Sequence, residues 1–585
     1  MTKDGEPQTS AFHGKDGHDT FTEVSRVRPS SLSSETSSLR TKFSYENVET
    51  FKEKVLNGPS LSDFINKSDS SSVIETVVDH PPYITPQNNQ SRKIYIETYG
   101  CQMNVNDTEI IYSIFKNAGF EIVNDIDKTD VIFIVTCAIR EGAEQKIWNR
   151  LKHLKHLKIK RSKKREHKLK IGLLGCMAER LKHKVIEKEN IVDIVAGPDS
   201  YKDLPNLLSL ADEGQEAINV MLSADETYAD IMPVRINEES KTAFISIMRG
   251  CDNMCTYCIV PFTRGIERSR PVSSIVDEVK YLSDLGVKEI TLLGQNVNSY
   301  RDTTSEIQKD IVLSSGFNTV YKRKRGGFLF ADLLDKVSDV NPEIRIRFTS
   351  PHPKDFPDDV LHVINEKHNI CKLLHLPAQS GNSEILRKMR RGYTRETYLE
   401  LIDHVRNIIP GVAFTSDFIC GFCDETEEAH QETLSLIKEV KYEYAYIFPY
   451  SMRPKTPAHR HLEDNVPKEV KKRRVEEAFR VFRDCTLELH RKEIGNYHLI
   501  QVLGMSKRSE LQWSGRNDWN TKVIYPQVPI PIAEGSNDWR LPNAGDYIVV
   551  QINDCTSQVL KGRAMYHTTL QEFYRKQSQK ISQCI

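Results

Sequence analysis

The sequence predicts an α/β chain of three folded parts: a parallel sheet near the N-terminus, a larger parallel barrel of six strand–helix units, and a small β-barrel near the C-terminus. Three observations carry this. Between Arg92 and Leu210, an apolar strand, a cysteine-bearing turn and a helical stretch recur three times. Between Thr242 and Cys485, strand-like runs alternate with amphipathic helical ones. Beyond residue 486 come short β-rich runs punctuated by Gly, Asn and Asp. Alternation of strand and helix implies parallel sheets with crossovers, and evenly spaced short strands imply a small barrel.

The 585 residues leave room for about three or four domains. Lys plus Arg and Asp plus Glu number 81 each, so there is no global basic field, and a nucleic-acid partner must be held by local patches. No apolar run approaches the ~18 residues of a membrane span, so no membrane association is expected. The 12 cysteines do not read as a secreted disulfide framework. They cluster at strand ends in a long chain whose start has no apolar signal core, and this fits a reducing compartment.

Taken in order, residues 1–91 read as a polar, Ser-rich tail without periodicity. Its arginines (Arg26, Arg28, Arg40) and serines fit an organellar targeting segment, while Asp4, Glu6, Asp16, Asp19 and Glu23 do not. A short amphipathic run, residues 45–65, is expected to dock on the body. The three units of 92–210 then run Lys93–Thr98 into Cys101, Val131–Thr136 into Cys137, and Ile171–Gly175 into Cys176. Parallel sheets bind ligands at the carboxyl ends of their strands. One cysteine there is an ordinary small buried residue. Three in equivalent places favour a site of three converging thiolates. Residues 151–170 carry Lys or Arg at half their positions. They are a candidate RNA contact or a solvated helix extension. Residues 211–241 read as a linker.

In the barrel, residues 242–485, the expected strands are 244–249, 289–294, 345–350, 371–376, 412–419 and 444–450. The expected helices are 273–285, 328–337, 357–364, 395–408 and 427–440. The first strand runs into Cys251-x3-Cys255-x2-Cys258. Three thiolates in so short a loop can bind one face of a [4Fe–4S] cluster, leaving one iron without a protein ligand. Zinc takes four ligands, commonly as two pairs, and no second pair follows. Polar residues gather after later strands: Gln295 and Asn296, Ser350, Gln379 and Asp417. Arg390 to Tyr393 is a candidate phosphate or carboxylate contact. Cys420 and Cys423 form a Cys-x2-Cys pair beside a strand end, read as chance. Residues 301–327 interrupt the rhythm and read as a surface insertion. A charged amphipathic helix, 468–494, leads to β runs at 498–503, 522–525, 547–552 and 558–565, and residues 571–585 read as a tail.

The loop spacing, with Tyr257 before its last cysteine, resembles the cluster loop of the radical S-adenosylmethionine (SAM) enzymes. Glu97-Thr-Tyr-Gly-Cys-Gln-Met-Asn104, Val135-Thr-Cys-Ala-Ile-Arg140 and Gly172-Leu-Leu-Gly-Cys-Met177 resemble the three ligand motifs of one branch of that superfamily, the methylthiotransferases. The Gly-Cys-Gln-Met-Asn form resembles the branch acting on N6-isopentenyladenosine in tRNA. Residues 92–563 resemble its eukaryotic organellar members, a group also known as cyclin-dependent kinase 5 regulatory subunit-associated proteins.

The resemblance implies three domains: a methylthiotransferase N-terminal domain (92–210), a radical SAM partial (β/α)6 barrel (242–485) and an RNA-binding TRAM β-barrel (486–570). It implies two [4Fe–4S] clusters, one on Cys101, Cys137 and Cys176, and one on Cys251, Cys255 and Cys258. It implies SAM as cofactor, with Tyr257, Gln295, Asn296, Ser350, Gln379 and Asp417 as candidate contacts. One SAM would methylate sulfur at the first cluster, and a second would yield the radical that removes hydrogen from carbon 2 of the adenine.

The implied partners are tRNA and a flavodoxin- or ferredoxin-type electron donor. The implied compartment is the mitochondrion, with the cytoplasm as the alternative. Lys507, Arg508, Arg516, Lys522, Lys561 and Arg563 are candidate phosphate contacts. Gly421-Phe-Cys-Asp-Glu-Thr426 departs from the family's Gly-Phe-Pro-Gly-Glu-Thr turn, and Asp424 tolerates the left-handed backbone such a turn needs. Alternative readings are a regulatory binding partner of a cyclin-dependent kinase 5 activator, or methylthiolation of another tRNA base or of a protein side chain.

Overall fold

The computed structural model describes residues 92–138, 141–163, 168–182, 184, 191–304, 316–317 and 326–584. The expected tail, with its 45–65 run, lies outside them, as does most of the 301–327 insertion.

The N-terminal unit is a parallel sheet. Its strands are β1 (Lys93–Thr98), β2 (Glu121–Ile122), β3 (Val131–Thr136), β4 (Lys170–Gly175), β5 (Ile194–Ala196) and β6 (Ala217–Asn219). They lie side by side in the order β2-β1-β3-β4-β5-β6, all parallel. The expected linker, 211–241, is corrected in part: β6 pairs with β5, and Ala217 and Tyr228 belong to the core of this unit, an order that comes from the neighbouring strand. β3 is VIFIVT and buried at every position, the continuous apolar run required of a strand covered on both faces. Helix α1 (Gln102–Asn117) packs Ile110, Ile111 and Phe115 on one face. Helix α2 (Glu141–Lys163) packs Ile147, Leu151 and Leu154 into the core of the other. Phe115 stacks on Phe133 at 5.2 Å beneath the first strands.

The barrel begins at β7 (Thr242–Ser246). A short hairpin of β8 (Met248–Arg249) and β9 (Arg268–Ser269) then spans the cysteine loop. Strand β10 is Glu289–Leu293. A ribbon of β11 (Arg301–Asp302) and β12 (Phe328–Leu329) pinches the two ends of the insertion together, so the excursion leaves and re-enters at one place. The remaining strands are β13 (Arg345–Phe348), β14 (Leu373–His375), β15 (Ala413–Cys420) and β16 (Tyr444–Pro449).

They form two three-stranded parallel sheets, β7-β10-β13 and β14-β15-β16. A parallel bridge between Ile346 and Ile370 joins them. No pairing closes β16 on β7 among the described residues, so the six strands make an open barrel. Helices Val272–Asp284, Phe330–Val340, Asp358–Glu366, Arg395–Ile408 and Glu427–Val440 cover the outside, each with an apolar stripe in one continuous core. The expected first strand, 244–249, is divided at Ile247, where the chain leaves the barrel wall to enter the hairpin.

Helix Lys468–Lys492 lies along β16 and leads to a closed five-stranded barrel. Its strands are β17 (Tyr497–Ser506), β18 (Ser509–Arg516), β19 (Lys522–Pro526), then Tyr547–Cys555 and Val559–Thr568, followed by helix Leu570–Cys584. Two expectations are corrected. Strand β18 was not foreseen, because Ser, Glu, Gln, Ser and Gly in it carry a weak strand pattern and its pairing to β17 and β19 supplies the order. The expected tail at 571–585 is mostly helix, capping the barrel through Leu570 packed on Leu499 and Tyr547.

The small barrel is keyed into the base of the large one. Arg345 donates to the carbonyls of Arg516 (3.1 Å) and Leu499 (3.4 Å), and Arg347 to those of Asn517 (2.8 Å) and Asp518 (2.7 Å). The backbone N–H of Lys372 donates to Asp518 Oδ2 at 2.8 Å. Both guanidinium groups are buried.

Candidate functional site

The loop Gly250–Glu267 hangs from the β8–β9 hairpin. Its entry turns at Gly250, with φ +75°, where a Cβ would lie 1.9 Å from the Ile266 carbonyl oxygen, so only glycine fits. The Cys251 N–H donates to Gly265 O at 3.2 Å and the Cys258 N–H to Cys255 O at 3.0 Å. Thr256 pins the loop to a neighbouring turn, donating to the carbonyls of Lys388 (Oγ1, 2.9 Å) and Met389 (N, 3.1 Å).

The buried Arg391 approaches from the same side. It donates to Cys255 Sγ (3.4 Å), Tyr257 Oη (3.5 Å), Tyr393 Oη (3.0 Å) and Pro377 O (2.9 Å). Part of the expected phosphate contact at 390–393 is thus turned inward onto the cysteine loop. Burial, then the neighbouring thiols, push the Cys251 thiol far up. Burial and Cys255 push Cys258 up to about 12. As cluster ligands these sulfurs would be held as thiolates, their protons displaced by the iron.

The second group forms at the ends of the three adjacent strands β1, β3 and β4, whose register aligns Thr98 with Val135 and Thr136 with Gly175. Cys101, Cys137 and Cys176 follow at once. Gly100, at φ +126°, lets two of them meet: a Cβ there would lie 2.6 Å from the Cys137 Cβ. A hydrogen bond from Cys137, against burial, draws the Cys101 thiol down to about 6, while burial raises Cys176.

Both triads fit a [4Fe–4S] cluster. Each offers three thiols, and each receives one buried guanidinium hydrogen bond at sulfur, at Cys255 or at Cys176. All the described cysteines are free of disulfides. Among the described residues no three His, Cys, Asp or Glu side chains are spaced to grip a single ion.

Between the triads lies a charged bridge that sequence reasoning missed. Asp107 of α1 is fully buried and accepts from Arg249 Nη1 (2.8 Å) and Arg264 Nη2 (2.7 Å). Arg264 Nε also donates to Cys176 Sγ at 3.2 Å, and Nη2 to Asn104 Oδ1 at 3.2 Å. The Arg249 guanidinium stacks 4.7 Å over the Tyr228 ring. The local sequence gives these arginines no distinguishing signal, because their partners lie 142 to 160 positions away for Arg249 and Arg264 on α1.

The other expected contacts divide. Gln295 Oε1 is buried without a protein partner among the described residues. Asn296 instead uses both ends of its amide internally, donating to Asp355 Oδ2 (2.9 Å) and accepting from the His352 N–H (3.0 Å). Ser350 and Gln379 hold left-handed backbone at φ 59° and 70°. Gln379 bridges to β15 through its backbone, and Asp417 Oδ2 meets His375 Nε2 at 3.4 Å.

The basic candidates are not one patch. Lys507 and Arg508 are exposed at the β17–β18 turn, whereas Arg516 and Lys522 pair at the far end of β18, roughly 25 Å of strand away. Arg516 donates to Asn520, and Lys561 pairs with Asp554 at 2.8 Å, while Arg563 is exposed. In the basic run of α2, Lys158 binds Asp193 and Arg161 caps the carbonyls of Ile126, Asp127 and Thr129, so two of its charges are spent inside the domain.

Two family descriptions match the chain: "Uncharacterized protein family UPF0004" over residues 93–197 and "Radical SAM superfamily" over residues 245–437. Among solved structures, a radical S-adenosylmethionine methyltransferase, TsrM, from Kitasatospora setae aligns with 63% of this chain and 77% of that one, with TM-score 0.45 and 13% identity. The mitochondrial tRNA methylthiotransferase CDK5RAP1 of Mus musculus is 52% identical over 541 residues, 90% of this chain and 91% of that protein. The tRNA-2-methylthio-N(6)-dimethylallyladenosine synthase of Chloroherpeton thalassium is 50% identical over 477 residues, 82% of this chain and 97% of that one. At this identity and near-complete mutual coverage, with both matched regions holding a cysteine triad, the chain belongs to the tRNA methylthiotransferase family of radical SAM proteins.

Proposed function

We propose that this protein is a radical SAM methylthiotransferase converting N6-isopentenyladenosine at position 37 of tRNA to its 2-methylthio derivative, in mitochondria. The observation that carries the reading is the pair of cysteine triads, each with two buried members and one half-buried one (Cys101 and Cys258), one at the strand ends of each parallel unit. Cys101, Cys137 and Cys176 would hold one [4Fe–4S] cluster and Cys251, Cys255 and Cys258 the other. Held by these residues, the clusters would supply electron transfer to SAM and a site for the sulfur to be transferred.

The protein's own groups supply the setting. Arg391 orders the loop and donates to its sulfur. Gln295 offers an unpartnered acceptor to the polar groups of SAM. Residues 92–210, 242–485 and 486–570 serve as sulfur-carrying domain, radical core and RNA-binding TRAM module. The hairpin tip with Lys507 and Arg508 is the candidate phosphate contact. An exposed loop base suits such a protein, because RNA sequence is read where bases are unstacked. Carbon 2 of adenine carries no proton that a side-chain base can take, which is why radical chemistry is needed. An electron donor of flavodoxin or ferredoxin type completes the system.

Nucleoside mass spectrometry on mitochondrial and cytosolic tRNA, from cells with and without this protein, tests the reading. The expected result is loss of 2-methylthio-N6-isopentenyladenosine and accumulation of its precursor in the mitochondrial pool. Unchanged modification in both pools overturns it and promotes the kinase-partner and protein-substrate readings.

A further inference from the structure

We infer that Arg264, supplied by the radical core just after the Cys251–Cys258 loop, sets the electron affinity of the cluster proposed on the other domain's Cys101, Cys137 and Cys176, and that Asp107 holds this effect in check. The inference rests on the cluster reading of those three cysteines.

Arg264 is 3% exposed, and its Nε lies 3.2 Å from Cys176 Sγ, 88 positions away in sequence. Hydrogen bonds to ligand sulfurs and nearby net charge are the protein's main levers on a cluster's reduction potential. A buried charge is poorly screened, so its field on the adjacent cluster is strong. A cation stabilises the more negative, reduced cluster.

Asp107 opposes it. The carboxylate accepts from Arg264 at 2.7 Å and 3.4 Å and from Arg249 at 2.8 Å, and Tyr201 Oη lies 3.3 Å from it. Arg249 stands two residues before Cys251. One carboxylate thus ties the segments flanking the loop on both sides to the strand-end triad. At the other triad, the hydrogen-bond partners of Arg391 are two tyrosine hydroxyls, a carbonyl and a thiol, with no carboxylate among the described residues. The two triads therefore receive the same donor with different countercharge, an arrangement suited to holding two clusters at different potentials in one protein.

The test uses the full chain with Cys251, Cys255 and Cys258 changed to Ala, so that only the strand-end site loads. After anaerobic reconstitution, iron per chain is counted, and the one-electron reduction of the cluster is titrated and followed by electron paramagnetic resonance. In R264Q the reduced-to-oxidised ratio at the parent's midpoint should fall at least tenfold, a shift of ~59 mV for one electron. In D107N the midpoint should move the opposite way. R264K, which keeps the charge, should recover most of the loss. A solely structural role would not produce shifts of opposite sign. Full iron with unmoved midpoints, or shifts of one sign in both variants, overturns the inference. Should R264Q fail to load, the direction of the D107N shift alone decides. A parent protein that holds no iron overturns the cluster reading itself.

Discussion

Cys251, Cys255 and Cys258 lie within eight residues of one loop, whereas Cys101, Cys137 and Cys176 come from turns after three separate strands. The first triad is organised locally, by a hairpin, a glycine turn and a few backbone hydrogen bonds. The second exists only once β1, β3 and β4 are in register. One site is a property of a segment and the other of a fold, and the contrast predicts how each will fail.

The largest effect expected is a division of labour. C255A should abolish SAM cleavage and about halve the iron per chain. C137A should halve the iron while sparing SAM cleavage and stopping sulfur insertion. Equal loss of cleavage in both variants would break the proposed distinction.

A core substitution sharpens it. Phe133 is fully buried in β3 and stacked on Phe115. F133A should cost about 3–5 kcal/mol and strip iron from the strand-end site, leaving the loop site loaded. Parallel loss from both sites would mean that the loop also depends on the sheet.

Loading should stabilise the two sites unequally. Closing the chain between Cys101, Cys137 and Cys176 spans 36 and 39 positions, against 4 and 3 in the loop. Loop-closure entropy then favours the strand-end site by about 4 kcal/mol. The rise in unfolding temperature on reconstitution should be larger in a chain keeping only Cys101, Cys137 and Cys176 than in one keeping only the loop cysteines. Equal rises would show that unfolded-state entropy is not the deciding term.

The smallest effect is local. G250A should add about 1–3 kcal/mol of backbone strain after Ile266 yields, and lower iron occupancy at the loop site with little change in the strand-end site. An unfolding temperature falling as far as in F133A would show that the loop is part of the core.

The parallel units could be read from the chain because their signals are local and periodic. The bounds of β1, β3 and the helices Arg395–Ile408 and Glu427–Val440 coincide with the expected ones. Both triads were legible as candidates, since cysteine spacing and strand-end position are written in short segments. The Arg249–Asp107–Arg264 bridge was not, because a buried ion pair is defined by partners that meet only after the two domains dock. The bonds of Asn296 were hidden for the same reason: nothing in the sequence shows that its amide meets His352 and Asp355. Strand β18 escaped because its order comes from its neighbours.

The keying of the small barrel into the large one has a bearing on how such chains can be shortened. Arg345 and Arg347 discharge their buried guanidinium groups largely onto the carbonyls of residues 499 and 516–518. Arg347 keeps Glu289 at 2.9 Å, but the hydrogen bonds of Arg345 go to that module. Excising the C-terminal module would open the floor of the catalytic barrel and expose two cations that had been solvated by protein. The module is therefore a poor candidate for a detachable accessory: a truncated chain gives up these four hydrogen bonds and the packing of Tyr547 on Arg345, and should unfold at a lower temperature than the full chain.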